Sequence, residues 1–574
     1  MRVQRWRIDA GNVDGFPDEA RAAPAFFAGL DDEVAQFRNH LFAFAEEHEV
    51  HERGERFRGN GASAARDDEG PAEQIVPALG GTEGDAGQIQ HVQHVGEAQF
   101  VRNRLSLWTA RHPKAMHWML QPAAGWTIAE PKGVVLIISP WNYPVLLALE
   151  PMADALAAGN AVCLKPSELS PNTSKLLAEL VPQYLDSEAV RVVEGGPKET
   201  GELLKCPFNH IFYTGGGHVG KIVMRAAAEH LTPDTLELGG KSPSFEDRTA
   251  DIKVAARRIT WGKFTNAGQT CVAPDYVRAT PDVAEALAER IAVAITEFYG
   301  EDPKASPDFG RIINDRHFER LCKLLPVGTV PPEEPSSPLV QVASAVGAAM
   351  DMVGRRFNAV TTGRGGAGEM AGSANNAAKP TAGSNMAAAD DGATASAAVE
   401  PSEIHKVPGV FDLAGRIVCG GKVDRAARYI APTVLYGTSP DAPVMKEEIF
   451  GPILPILVVE DAESAIRFIN KRSRPLAAYV FSRDHEVRLT FERQTSSGAL
   501  GYSLPLGHLL SSRLPFGGVG ASGIGTYHGK AGFLTFSHVK TVVTKPQFPD
   551  TLRLVYPPFN EAKAKLFDII AKFS

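Results

Sequence analysis

The chain has 574 residues, 44% hydrophobic and 22% charged, close to globular averages, which excludes a wholly disordered, collagen-like or coiled-coil protein. That length corresponds to roughly three to four structural units. A formal net charge of -8 provides no general field for drawing in nucleic acid or anionic lipid.

Five cysteines, an odd number with no CxxC pair, argue against a disulfide framework or cysteine-rich zinc module and for a reducing compartment. The opening MRVQRWRIDAGNVDG lacks an apolar core, and Asp9 and Asp14 come too early for an acidic-poor transit peptide. A cytoplasmic location is therefore expected. The most apolar stretch, GVVLIISPWNYPVLLALEPM, is broken by Pro140, Asn142 and Pro144, so it reads as strand, turn and helix rather than a transmembrane anchor.

In chain order, residues 1–95 form an atypical segment of Gly-, acid- and Arg-rich pieces with one helical stretch around Asp31 to Glu47. His48/His51 and His91/His94 have HxxH spacing but no acidic or cysteine partners in a recognisable frame, so no metal site is expected. From Gly133 the runs VVLIIS, AVCLK, VRVVEG, HIFYT and TLELGG are separated mostly by helical segments such as LLALEPMADALAA and TSKLLAELVPQYL, the pattern of βαβ units around a parallel sheet. A second α/β stretch runs from about Asp251 to Leu325 and resumes near Leu413. Residues 326–410 between them are rich in Gly, Ala, Ser and Pro and cannot bury enough apolar area to offset chain entropy, which reads as a disordered insertion. Within it, LVQVASAVGAAMDMVG has helical periodicity.

Several positions carry chemistry. Cys271 follows a Gly-containing turn, Asn266-Ala-Gly-Gln-Thr, flanked by polar residues; it is a candidate nucleophile, though taken alone a structural cysteine is the better reading. Glu237 ends an apolar strand before a glycine pair, where burial could raise its pKa and make it a general base, against the blander reading of an exposed strand-end glutamate. Asn142 sits in a Pro-bounded turn directly after VVLIIS, at the sheet edge where α/β ligands gather, as a turn residue or as an amide donor to an oxyanion. Thr214-Gly-Gly-Gly-His-Val-Gly220 joins a strand to a helix and offers free backbone N–H groups to a phosphate, or is a plain connecting loop. Lys165-Pro-Ser-Glu168 ends a neighbouring strand at the same edge, able to reach a ribose or simply solvated.

Taken together, PWNYP, LKPSELSP, HIFYTGG, LTPDTLELGGKSP, WGKFTNAGQTCVAPDYV, RYIAPTVL, EEIFGPILPIL and LPFGGVGASGIGTYHGK resemble the aldehyde dehydrogenase superfamily, most closely its class 3 branch, which includes the fatty-aldehyde enzymes. The resemblance covers roughly residues 97–325 and 413–560. It implies an α/β fold: a Rossmann-like NAD(P)-binding domain over 96–240 carrying an oligomerisation hairpin near 117–131, and a catalytic domain over 241–325 and 411–490. Residues 491–574 would complete the active-site wall and supply an oligomerisation tail.

The resemblance further implies oxidation of medium- to long-chain or aromatic aldehydes to carboxylic acids through a cysteine thioester. Cys271 would be the nucleophile, Glu237 the base for hydrolysis, and Asn142 an oxyanion donor. The cofactor-binding set would be Ser139, Trp141, Lys165, Glu168, Gly215, Gly216, Gly220, Leu238, Glu448 and Phe450. NAD would be preferred and NADP tolerated, since Glu168 repels a 2'-phosphate. A homodimer is the family default.

Three departures stand out. Gly216 replaces the family's usual serine, losing a hydrogen bond of about 0.5 to 1.5 kcal/mol. The stretch Gly501 to His508 recovers only the histidine of a usual Asn-Asp-then-His pattern. Residues 1–95 lack the family's helical, Arg-containing pattern. A CoA-acylating relative is the alternative enzyme, although such enzymes lack a base at the Glu237 position; a catalytically impaired structural or binding protein is the alternative outside enzymes.

Overall fold

The computed structural model describes residues 96–326 and 413–573. The expected helix near 31–47, the atypical segment up to residue 95 and all but the first residue of the insertion read over 326–410 lie outside these residues.

The apolar runs read from the sequence form a six-stranded sheet. Its members are β3 (Val134–Ile138), β4 (Ala161–Lys165), β5 (Val190–Val192), β6 (His210–Thr214), β7 (Asp234–Glu237) and the short β17 (Gly523–Ile524). The order is β17-β7-β6-β3-β4-β5, parallel except for antiparallel β17. These strands are nearly continuously apolar because helices cover them, including α1 (Leu146–Ala157), α2 (Pro171–Tyr184) and α3 (Gly217–Glu229). The chain runs outward from β3 through β4 to β5, then returns to the other side of β3 as β6. That reversal leaves a crevice at the carboxyl ends of β3 and β6, the switch point where ligands of open α/β sheets bind.

A second sheet of seven strands has the order β10-β13-β14-β9-β8-β15-β16. It comprises β8 (Pro243–Glu246), β9 (Tyr276–Ala279), β10 (Arg416–Cys419), β13 (Thr433–Tyr436), β14 (Ile453–Val458), β15 (Ala477–Phe481) and β16 (Ala499–Tyr502). Only β10 runs antiparallel. Two helices, α4 (Ile252–Phe264) and α5 (Ala284–Tyr299), follow β8 and β9. Asp251 starts α4 by accepting the Lys253 and Val254 N–H groups, satisfying donors that a helix start leaves open. The minor pair β11 (Val423–Asp424) and β12 (Tyr429–Ile430) stands apart.

The hairpin expected near 117–131 begins earlier: β1 (His112–Lys114) pairs with β2 (Ala124–Pro131), and β18 (Ser537–Thr544) pairs with β2 over eight residues. After β17 the chain forms α6 (Gly529–Thr535), enters β18, and ends the described residues in α7 (Glu561–Phe573).

Phe245 on β8 is fully buried and packs against Phe491 with ring centroids 4.9 Å apart, within a cluster that includes Val480, Ile466 and Ile469. Phe245→Ala should therefore cost about 3 to 5 kcal/mol through lost transfer energy plus the cavity left behind. Equilibrium urea unfolding checks this, and a loss below about 1 kcal/mol would show that the site collapses around the smaller side chain.

Candidate active site

Cys271 stands on a turn whose shape is over-determined by hydrogen bonds. After α4 the chain makes one short turn over Thr265–Gly268, in which Asn266 and Ala267 adopt left-handed backbone with φ of 52° and 51°. For residues with a Cβ this costs of order 1 kcal/mol or more each, and it persists only where the surroundings enforce it. Here they do. Asn266 Nδ2 donates to the Asn142 carbonyl at 2.8 Å, and Asn142 Nδ2 donates to the Gln269 carbonyl at 2.9 Å. Gln269 Nε2 donates to the Asn266 and Arg311 carbonyls, and its Oε1 accepts from the Ile313 N–H. At Gly268, with φ of 75°, an added Cβ would meet the Gly451 carbonyl oxygen at 2.3 Å, so no side chain fits between this turn and the EEIFGP loop.

Beyond the turn, Thr270 Oγ1 and Tyr143 Oη are hydrogen-bonded at 2.7 Å, and Tyr479 Oη donates to the Val272 carbonyl at 2.6 Å. Cys271 is thus held from both sides, half-buried on the wall of an apolar cavity that Glu237, Leu146, Trp261, Leu506 and Phe516 also line. Burial pushes its thiol up to about 12, with the carboxyls of Glu448 and Glu237 adding to the effect.

Glu237 is 2% exposed, unlike a solvated strand-end glutamate. The reason is β17: Gly523 pairs with Glu237 across an antiparallel bridge, so β7 is covered on both edges. Neither carboxylate oxygen has a hydrogen-bond partner among the described residues, and burial raises the pKa well above the ordinary 4.5. Asn142 lies buried beside the Cys271 turn and spends one of its two amide hydrogens on the Gln269 carbonyl.

At the switch-point crevice, α3 begins at Gly217 with no side-chain cap from Gly216, which leaves its first backbone N–H groups directed at the crevice. Ser139 and Thr214, at the ends of β3 and β6, bury hydroxyls that have no hydrogen-bond partner among the described residues. A Cβ on Gly220 would meet Leu238 at 2.8 Å, and one on Gly215 would meet the Tyr213 hydroxyl at 2.3 Å, so glycine lets the loop lie close to the sheet. Lys165 is buried at the end of β4 and donates to Glu168 Oε2 at 2.7 Å. Trp141 packs edge-on against Phe450 with centroids 5.4 Å apart. The Glu448 carboxyl lies against Gly239, where an added Cβ would meet it at 2.2 Å. Burial, then the Asp275 charge, push Glu448 up to about 8. An open helix start, two buried hydroxyls, a carboxylate–lysine pair at the sheet edge and an aromatic wall suit a dinucleotide.

Residues that sequence reasoning passed over hold the EEIFGP loop in place. Lys241 Nζ donates to Asp275 Oδ2 at 2.5 Å and to the Val444 and Glu447 carbonyls. Asp275 Oδ1 accepts the Ile449 N–H at 2.9 Å, and Arg320 donates to the Glu448 and Ile449 carbonyls. Lys263 is fully buried, 4.0 Å from Asp275; burial lowers it to about 8. For Lys263 and Asp275 the signal was a charged residue inside the largely apolar blocks WGKF and CVAPDYV.

A crevice fitted to a dinucleotide, opening beside a cavity walled by a thiol and a buried carboxyl, defines the class: a nicotinamide-dependent oxidoreductase. The profile of the aldehyde dehydrogenase family matches residues 62–329 and 374–542, starting upstream of the blocks that the sequence made recognisable and resuming within the stretch read as an insertion. Aldehyde dehydrogenase family 3 member A2 of Rattus norvegicus is 40% identical over 490 residues, covering 85% of this chain and 83% of the relative. The dimeric NADP-preferring aldehyde dehydrogenase of Mus musculus is 40% identical over 471 residues, with coverages of 82% and 85%. Among solved structures, the substrate-bound state of Staphylococcus aureus AldH superposes with a TM-score of 0.72 at 33% identity, covering 94% of this chain and 95% of that one. The chain belongs to the aldehyde dehydrogenase family, on its class 3 branch. It is an oxidoreductase that converts aldehydes to carboxylic acids with NAD(P), and neither a CoA-acylating nor a purely structural role is favoured.

Because Glu237 holds its proton to higher pH when folded than when unfolded, the stability contributed by the neutral carboxyl is complete below about pH 4.5 and is lost as pH rises through the raised pKa. Glu237→Gln carries no charge to bury. Its melting temperature relative to the parent should therefore be higher at pH 8 than at pH 5, measured by differential scanning calorimetry. Equal differences at the two pH values would mean that the carboxyl ionises freely in the folded protein.

Proposed function

We propose that Cys271 attacks the aldehyde carbonyl and that Glu237 serves as the base for hydrolysis. The observation that carries this reading is that both groups face one apolar cavity beside the dinucleotide crevice. As sulfur bonds to the carbonyl carbon, the thiol proton leaves to solvent, and the resulting oxyanion is met by the second Asn142 amide hydrogen and the Cys271 backbone N–H. Bound NAD(P)+ supplies the acceptor for the hydride lost from that carbon. Ser139, Trp141, Gly215, Gly216, Gly220, Leu238, Glu448 and Phe450 hold the cofactor around the switch point, with Lys165 and Glu168 at the adenosine ribose. The thioester left on Cys271 is then opened by a water that Glu237 deprotonates.

The cavity wall of Leu146, Leu147, Leu506, Leu509, Leu510 and Phe516 supports medium- to long-chain or aromatic aldehydes, which gain affinity from apolar burial. NAD is the preferred cofactor, because Glu168 is fixed against Lys165 where a 2'-phosphate would meet its charge. A relative is named NADP-preferring, so NADP is also accepted. A homodimer is supported by the exposed Val219, Ile222 and Met224 of α3. The five cysteines, all unpaired, support a reducing, cytoplasmic setting; among the described residues no helix is long and apolar enough to cross a membrane.

Cys271→Ala should abolish aldehyde-dependent NADH formation while preserving cofactor binding, read by fluorescence titration; turnover surviving at more than about one part in a hundred would defeat the mechanism. Glu237→Gln should release about one NADH per subunit in a burst and then stall, since only hydrolysis still needs the base. Loss of burst and steady rate together would give Glu237 a different role. Glu168→Gln should raise the NADP-to-NAD ratio of kcat/KM by about tenfold, and an unchanged ratio would place this carboxylate away from the ribose.

A further inference from the structure

Four titratable side chains that this chemistry leaves unused are buried together behind the same cavity. Glu97 lies near the start of a helix over 96–102, Glu150 and Asp154 are one turn apart on α1, and His528 immediately precedes α6. All four are buried. His528 Nε2 is 3.4 Å from Glu150 Oε1, and the Gly529 N–H donates to Glu97 Oε1. Ser512 is also hydrogen-bonded to Glu97. Asp154 meets the Glu97 side chain and the His528 backbone N–H. On one side α6 presses so close that a Cβ on Gly532 would meet Asp154 Oδ2 at 1.8 Å.

One imidazolium balances one carboxylate, so of three carboxyls and one imidazole two are cheapest as neutral acids. Burial, then the charges of Glu97 and Glu150, raise Asp154 well above the ordinary range. Burial, then Glu150, raise Glu97. For His528, burial lowers the pKa, but Glu150 and Glu97 outweigh it and leave the ring above its usual value. The surrounding groups are few. Phe516 stacks on His528 at 5.3 Å and on His508 at 5.9 Å, and burial, then the charge of His528, hold His508 down at about 4. The Tyr527 phenol lies within electrostatic reach of Glu150, Asp154, Glu237 and Cys271, and burial keeps it neutral.

Glu150 and His528 also line the cavity that holds Cys271 and Glu237. We propose that the Glu150–His528 pair, backed by Glu97 and Asp154, is the relay and store that takes up the proton Glu237 removes from the hydrolytic water. This rests on the reading of Glu237 as the base. The water oxygen bonds to the thioester carbon and its proton goes to Glu237. The carbon–sulfur bond then breaks, its electron pair staying on Cys271, and the acid ionises as it leaves. Glu237 is left protonated with no partner among the described residues, and must pass that proton on before it can act again. Of the ionisable groups on the cavity wall, Glu150 and His528 are the pair able to hold it.

The test uses 4-nitrophenyl acetate, which acylates Cys271 without a hydride step, so that a nitrophenolate burst reports acylation and the slow phase reports hydrolysis. Glu150→Gln should keep a burst of about one per subunit, slow the second phase by about tenfold, and recover in 2,6-lutidine, a hindered base that carries protons, at fixed pH. Asp154→Asn, which leaves the cavity wall unchanged, should show a smaller loss with the same recovery; the parent should not respond to lutidine. An unimpaired slow phase in both variants, or a slowed one that lutidine does not restore while the burst is intact, overturns the relay. If Glu150→Gln fails to fold, Asp154→Asn decides alone. Glu237→Gln run alongside separates the two readings: a surviving slow phase there removes the base, whereas a stalled Glu237→Gln with an unaffected Glu150→Gln removes only the relay.

Discussion

A pair of side-chain amides joins the two sheets beside Cys271. Asn266 donates to the Asn142 carbonyl, and Asn142 donates to Gln269. The clasp fixes the turn after β3, which borders the crevice, to the turn before β9, which carries Cys271. It also holds Asn266 and Ala267 in left-handed backbone, so the strain of that turn is offset by bonds that exist only when both sheets are in place. Gly268 extends the same constraint to the EEIFGP loop, whose Gly451 carbonyl leaves no space for a side chain. Cys271, crevice and aromatic wall are therefore one rigid assembly, as a site requiring sub-ångström placement must be.

Electrostatics around that assembly follow from exclusion of water. Glu237, Glu448 and the Cys271 thiol are all held toward their neutral forms, with burial the largest cause in each case. Lys263 is driven the same way, toward neutrality, with Asp275 the charge that limits the shift. A site that suppresses charge at rest strengthens the effect of any charge placed in it, since that charge is screened only by groups already fixed nearby. The apolar wall thus serves binding and chemistry at once.

How much of this could be read from the sequence depends on the range of the interaction. The strands VVLIIS, AVCLK, VRVVEG, HIFYT and TLELGG form as read, because a parallel strand covered on both faces leaves a local apolar signature. The turn before Cys271 and the Gly215–Gly220 loop also lie where the sequence placed them, because their glycines mark local changes of chain direction. The burial of Glu237 was not legible, because it is set by β17 from the far end of the chain, and a two-residue strand of glycine and isoleucine announces nothing. Neither were Lys241, Asp275 and Arg320, whose work is to bind backbone carbonyl and N–H groups of a remote loop. Asn142 illustrates the middle case: its place at the strand end was evident, but its bond to Gln269 requires knowing that a second sheet stands opposite.

The closing role of the last quarter of the chain bears on how the protein is made. β7 waits for β17 to cover its outer edge, and β2 waits for β18 to supply its long antiparallel partner. A chain emerging vectorially from the ribosome therefore carries two unpaired strand edges through most of its synthesis, each able to capture another nascent chain. Only when residues beyond Gly523 emerge do both edges close, and at the same moment the carboxyl of Glu237 loses its exposure to water. Protection from misassembly and completion of the reactive pocket are then a single late event in the birth of the molecule.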